Sequence, residues 1–219
     1  MTRHLCLALL AAAVVAGGAG AASGDPEKRD IRPADQAWAT RATLTARDVP
    51  SGFTANRAPS SKKSGPLTCP GFQPDLSDLT ITGEASSPLF QSTAGTTVFA
   101  SAEVYKSVHD EREAWRRTAR REALRCIARE LGSISASGLR VTVTQRLVRV
   151  PPRVGERAIS FRIKATITGQ GLAIPTWIDL LAVASGRADA TLLMSTVRSS
   201  PSDALERKLL GKLALRLKH

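Results

Sequence analysis

Few residues in this 219-residue sequence combine a reactive type with a telling spacing. Cys69 and Cys126 are two of them, and a third cysteine, Cys6, stands near the start. In an oxidising compartment the first two have only one way to pair, and two free thiols are the alternative. The bridge would close a loop of 57 residues. In the chain-entropy model that stabilises a fold by about 4 kcal/mol. A zinc site does not fit. The histidines are His4, His109 and His219, and two cysteines with one internal histidine fall short of four ligands.

Arginines supply the second pattern. Arg117, Arg121, Arg125 and Arg129 recur every four residues, which on a continuous helix makes one ridge of guanidinium groups. Such a ridge could bind an anionic polymer. A solvated face, neutralised in part by Glu113, explains the same spacing and is the preferred reading.

Catalytic patterns are harder to find. A nucleophile needs a base and an orienting group within reach. His109 lies beside Asp110 and Glu111 at an expected helix start, where an exposed first-turn residue is the simpler role. The serines form no G-x-S-x-G elbow and the glycines no phosphate-binding loop. Glu111 and Glu113 are two apart on a helix and face different ways. The sequence therefore predicts no catalytic residue, cofactor or metal ligand. An acid pair assembled only by folding stays open. Trp177 and Asp179 share one face of a strand, with Tyr105 on another strand, so a pocket between them is conceivable; core packing is the preferred reading.

The elements that position these residues begin after a leader. Arg3 precedes an apolar run from Leu5 to Ala16, and Ala19-Gly20-Ala21 fits a small-x-small cleavage site. Residues 1–22 thus read as a secretory signal peptide. The run of 12 residues is short of the roughly 20 needed to span a bilayer. Cys6 lies too early for lipidation, and no later stretch is apolar enough to span, so no membrane span is expected in the mature protein. Residues 23–33 read as a disordered lead-in, and residues 34–219 as a single domain.

Within that domain the pattern predicts a helix from Ala34 to Thr45, stopped by Asp48-Val49-Pro50-Ser51-Gly52. Ala58 to Pro66 reads as a surface loop. Strands are expected over Leu79–Gly83 and Thr97–Tyr105, and one long helix over Val108–Leu131. Its expected buried stripe holds Trp115, Ala119, Ala123, Cys126 and Ile127, with Leu124 outside it. Four strands follow, over Leu139–Val150, Ala158–Thr168, Pro175–Ala184 and Arg187–Val197. Ile159, Phe161, Ile163, Ala165 and Ile167 alternate with Ser160, Arg162, Lys164, Thr166 and Thr168, as in a half-buried strand with a polar outer side. Short turns at Gly169-Gln170-Gly171 and Ser185-Gly186 predict an antiparallel meander. Ser200, as N-cap, and Pro201 open a last helix with Leu205, Leu209, Leu213 and Leu217 buried. The fold class predicted is α+β: a mostly antiparallel sheet covered by helices, sandwich-like.

Charge narrows the partners. The chain carries +12, or +11 once Arg3 has left with the leader. Arginine outnumbers lysine 23 to 8 and Asn56 is the only asparagine, a bias that a G+C-rich genome produces without functional cause. A polyanion partner is possible on charge. Nucleic acid is not expected of an exported chain with 4% aromatic residues.

With these residues in view, the chain resembles the secreted sensor-type domains of actinobacteria, including the extracellular domain of a mycobacterial receptor serine/threonine kinase. The likeness rests on Asp48-Val49-Pro50-Ser51-Gly52-Phe53, on Cys69 in a loop and Cys126 late in a helix, and on Gly186-Arg187 opening a strand. It covers most of residues 34 to 217. It implies an α+β sandwich with a cleft for an unidentified ligand. The kinases carry a second disulfide, whose cysteines are missing here. The expected function is a secreted, non-catalytic ligand-binding or sensor-like domain of the cell envelope, taking an unknown small-molecule or envelope ligand. A basic envelope protein that binds anionic polymers and an extracytoplasmic hydrolase are the alternatives.

Overall fold

Strand alternation decides most of this architecture. A computed structural model describes residues 26–57, 67–136, 139–149, 153–169 and 171–218. The signal peptide expected over residues 1–22 and the loop expected over Ala58–Pro66 lie outside the described residues.

Ten strands and four helices are present among the described residues. In chain order they are β1 (Lys28–Arg29), α1 (Pro33–Ala42), β2 (Phe53–Asn56), β3 (Thr80–Ser86), β4 (Leu89–Ser92), β5 (Thr97–Tyr105), α2 (Val108–Thr118) and α3 (Arg121–Ser133). Then come β6 (Ser135–Ala136), β7 (Leu139–Arg149), β8 (Arg157–Gly169), β9 (Leu172–Ser185), β10 (Ala188–Val197) and α4 (Asp203–Arg216). The strands form one sheet in the order β1-β3-β5-β10-β9-β8-β7-β6, with β4 also on β5 and β2 on β4. Only β1 and β3 run parallel. The protein is thus α+β with a mostly antiparallel sheet, as its sequence predicts.

Helices cover both faces. Trp38 and Ala39 of α1 and Leu209, Leu210 and Leu213 of α4 bury the face that carries Ala100, Val104, Leu181, Val183, Leu192 and Met194. On the other face, Leu124, Ala128 and Leu131 of α3 pack on Val141, Phe161 and Ile163, while Ala114 of α2 packs beside Leu79, Ile81 and Tyr105. Gly83 is required where α1 crosses β3, because a Cβ there would collide with the Asp35 carbonyl.

Four expectations change. The lead-in is not free chain from Lys28 onward: the N–H groups of Lys28 and Asp30 donate to the carbonyls of Leu79 and Ile81, each at 2.9 Å. The long helix is two helices. At the break, the Thr118 hydroxyl donates to the Ala114 carbonyl at 2.7 Å and the Arg120 guanidinium to the Arg116 carbonyl at 2.6 Å. Side chains thus take carbonyls that a continuing helix would bond, and the chain leaves at an extended Arg120. The stripe changes with it: Ala123, Leu124 and Cys126 are buried, whereas Trp115, Ala119 and Ile127 are half-buried. Finally, α4 starts later than Ser200 suggests. Its N-cap is Ser202, whose hydroxyl accepts from the Leu205 N–H, and Asp203 keeps its place at the positive end of the helix.

No helix among the described residues is long and apolar enough to cross a membrane.

Candidate functional site

Charged residues that the sequence brings forward turn out largely to hold the fold together. Cys69 and Cys126 are joined, with Cα atoms 5.7 Å apart, and sit buried with Phe72 and Ala123. The bridge ties the loop before β3 onto α3.

The arginine series is divided by the helix break. Arg117 belongs to α2 and is half-buried. It donates to Asp78 Oδ2 at 2.9 Å, to Glu113 Oε2 at 3.3 Å and to the Asp75 carbonyl at 2.7 Å. Arg121, Arg125 and Arg129 continue every four residues along α3 and are exposed, with Arg125 bonded to Glu122 at 2.7 Å. An open groove of 710 Å³ lies between the Cys69 loop and the break, lined by Phe72, Asp75, Asp78, Arg116, Arg117 and Arg120 among others. Two of its cations are already engaged: Arg117 meets Asp78 of the lining, and Arg116 meets Glu113 outside it at 2.6 Å.

Asp48 and Arg187, which carry much of the sequence resemblance, are both pins. Asp48 accepts from Arg216 at 2.8 and 2.9 Å, from Lys212 at 2.9 Å, and from the N–H and hydroxyl of Thr45. Burial pushes its carboxyl up, but these bonds outweigh burial and hold it well below the usual carboxylate range. Arg187 lies over the Trp38 ring at 5.2 Å and donates to both oxygens of Asp35 and to the Tyr105 carbonyl. It locks α1 to the sheet.

Trp177, Asp179 and Tyr105 do not form a pocket, because Tyr105 faces α2 while the other two face the α4 side. Trp177 instead receives Lys164 over its ring at 5.1 Å. Asp179 is fully buried and, with Glu206 and Asp203 of α4, holds Arg149 and Arg162. The polar outer side expected on β8 is therefore partly interior: Ser160 is buried and Arg162 reaches under α4. Burial, then the bond with Asp179, raises Glu206 to about 8, so this group of three acids and two arginines holds a proton near neutrality.

A different feature comes from register. Glu84, Glu103 and Asp189 stand directly opposite one another on β3, β5 and β10, so one rung of the sheet carries three carboxylates on the same face. The rung continues through Ala184 to Arg157. The next rung on that face holds Ser86, Ser101, Thr191 and Ala182. Cover differs sharply between the two sides of these strands. Ala100, Ala102, Val104, Ala190 and Leu192 are buried under α1 and α4. Ser101, Glu103, Asp189, Thr191 and Ala182 are half-buried. On that side α2 packs on β5 and β10 and α3 on β7, and the strip of half-buried polar side chains on the strands between them is called the trough below.

Acceptors outnumber donors in this trough. Glu103 Oε2 accepts from the Tyr105 hydroxyl at 2.9 Å. Arg157 donates to Glu111 Oε2 and lies over the Trp115 ring at 5.7 Å. Glu111 is fully buried, yet its Oε1 has no hydrogen-bond partner among the described residues. The Asp189 side chain makes no hydrogen bond or ion pair with the described residues. Burial, then the neighbouring Glu27 charge, pushes Glu103 up to about 7. Burial and the Glu103 charge, followed by Glu111, push Asp189 well above the usual carboxylate range, with Arg157 opposing. Sequence reading misses these residues because Glu103 and Asp189 fall on the alternate positions of strands whose apolar face attracts notice. The signal is available: both are acids inside strands, and pairing the strands would align them.

No protein-family model matches this chain, and no curated protein matches it. Among solved structures it is similar to the extracellular domain of PknH from Mycobacterium tuberculosis, at 9% identity and a TM-score of 0.40, over 63% of this chain and 64% of that one. At that score the likeness carries no functional argument, which rests on the chain's own residues.

Proposed function

We propose that this chain is a non-catalytic, sensor-like domain of the extracytoplasmic space that binds a small ligand in the trough between α2 and α3. The observation that carries this is the unequal cover of β5 and β10: one face is sealed by apolar packing, and the other exposes Ser101, Glu103, Asp189 and Thr191 in a half-buried setting. Concave surfaces with a few convergent polar groups are where small ligands bind. The buried disulfide and the leader-like N-terminus support the compartment. The test is amide chemical-shift mapping against a mixed library of soluble amines, amino acids, sugars and carboxylates. Binders should move Ser101, Glu103, Asp189 and Thr191, and Thr191→Trp, which fills the floor, should abolish those shifts. Binders that map only to the Arg117 groove would overturn the assignment.

One observation favours hydrolysis as a second reading. Opposed acids that burial holds above the usual carboxylate range offer proton donors beside possible acceptors in one place. Turnover of a chromogenic ester, amide or glycoside, lost in both Glu103→Gln and Asp189→Asn, would move the assignment to an extracytoplasmic hydrolase.

A further inference from the structure

The trough is rich in acceptors in a chain of formal charge +12. Three carboxylates, of Glu103, Asp189 and Glu111, gather where Tyr105 and Arg157 are the donors from the described residues. Two features point to something that would meet them. Among the described residues the Asp189 carboxylate has no hydrogen-bonding or ion-pair partner, and Glu111 Oε1 is buried without a donor although the Glu111 charge acts on Asp189. An acceptor buried without a donor, as Glu111 Oε1 is among the described residues, loses its hydration with nothing to replace it. The other buried carboxylates, by contrast, are matched: Asp35 by Arg187, Asp48 by Arg216 and Lys212, and Asp179 and Glu206 by Arg149 and Arg162.

A metal ion does not suit this gap, since the described residues bring no three His, Cys, Asp or Glu groups into coordinating distance. An organic cation does. It carries several N–H donors spread over its own frame, and each need only reach hydrogen-bond distance of a separate carboxylate. The half-buried Ser101 and Thr191 beside the acids add short polar groups for the rest of such a molecule.

We infer that the trough takes an alkylammonium or guanidinium ligand, held between Glu103 and Asp189 with Glu111 as a third acceptor. This rests on the trough being the ligand site. The ligand competes with protons for the same oxygens, so binding weakens as the solution becomes acidic. Groups facing the pair come from every neighbouring element. Glu27 and Arg29 stand at the β1 edge, Glu84 on β3, Tyr105 on β5, Glu111 on α2, and Arg157 on β8. Acids outnumber cations among them. Together with burial they keep both carboxyls high, and Glu103 titrates near 7. Entry of a cation therefore expels a proton at neutral pH.

Calorimetry on the whole, disulfide-bonded chain tests this with agmatine, which carries an ammonium and a guanidinium, against neutral butanol and anionic butyrate. Agmatine should bind at least tenfold more tightly at pH 8 than at pH 6, with a buffer-dependent heat that reports proton release. Asp189→Asn should weaken it at least tenfold at pH 8 and flatten the pH dependence, and Glu113→Gln, on the outer side of α2, should change neither. If Asp189→Asn does not fold, Glu103→Gln serves in its place. Equal affinity at both pH values, or in the Asn variant, overturns the inference. Butanol or butyrate shifting Ser101 and Thr191 while agmatine does not would overturn the ligand class and leave the trough as a site. A trough that no library member perturbs would overturn both.

Discussion

Glu103 and Asp189 stand opposite each other on neighbouring antiparallel strands, 86 residues apart in sequence, and no cation among the described residues bonds either one. Both carboxyls titrate higher in the fold than in the unfolded chain, burial being the main cause. A group of that kind favours folding while protonated, and its contribution disappears as pH rises through its folded-state value. Glu103→Gln should therefore stabilise the protein at pH 8, by roughly 2 kcal/mol, and have little effect at pH 5. Urea denaturation at both pH values gives the comparison. Equal effects at pH 5 and pH 8 would mean that the pair carries no titrating strain.

Asp48 shows the opposite sign. Its carboxyl lies below the usual range in the fold, so its contribution is present above the unfolded value and is lost as pH falls through the folded one. Asp48→Asn should cost about 2–4 kcal/mol at pH 7, since it leaves Arg216 and Lys212 without their shared partner. A urea midpoint unchanged by the substitution would remove Asp48 as a pin.

Cys69 and Cys126 fasten a loop to α3 from within a small apolar cluster. Cys126→Ser should lower stability by roughly 2–4 kcal/mol. Limited proteolysis should then cut near the Cys69 loop first. A melting temperature indifferent to reductant would show that the bridge adds nothing.

Arg121 and Arg125 remain on one face of α3, now without Arg117 in line. Reversing both to Glu should weaken binding of dextran sulfate at low salt only as much as reversing the exposed Arg41 and Arg47 does. A distinctly larger loss on α3 would restore the anion ridge.

How far the sequence foretells this molecule depends on what each residue touches. The period-two pattern of Ile159 to Ile167 shows because that face of β8 lies in one apolar cluster with α3 and the neighbouring strands, and the leucines of α4 show because they lie in the other. Short strands such as β2 and β4 stay hidden, since four residues hold too little pattern. The break after Thr118 is invisible because it contains neither proline nor glycine and depends on two side-chain bonds. The acid pair needs register, which no local pattern contains: nothing near Glu103 indicates that Asp189 will stand beside it.

The link between Asp48 and the last turn of α4 also has a meaning in time. Trp38 donates its indole N–H to the Arg216 carbonyl, and Asp48 waits for Lys212 and Arg216. A polypeptide that emerges N-terminus first, from a ribosome or through a membrane, brings out α1 and its neighbours long before those cations. The apolar surface of α1 stays unsealed until the final turn is released. Sealing of that surface is thus tied to the emergence of α4, and a product lacking the Lys212 and Arg216 turn would keep it open.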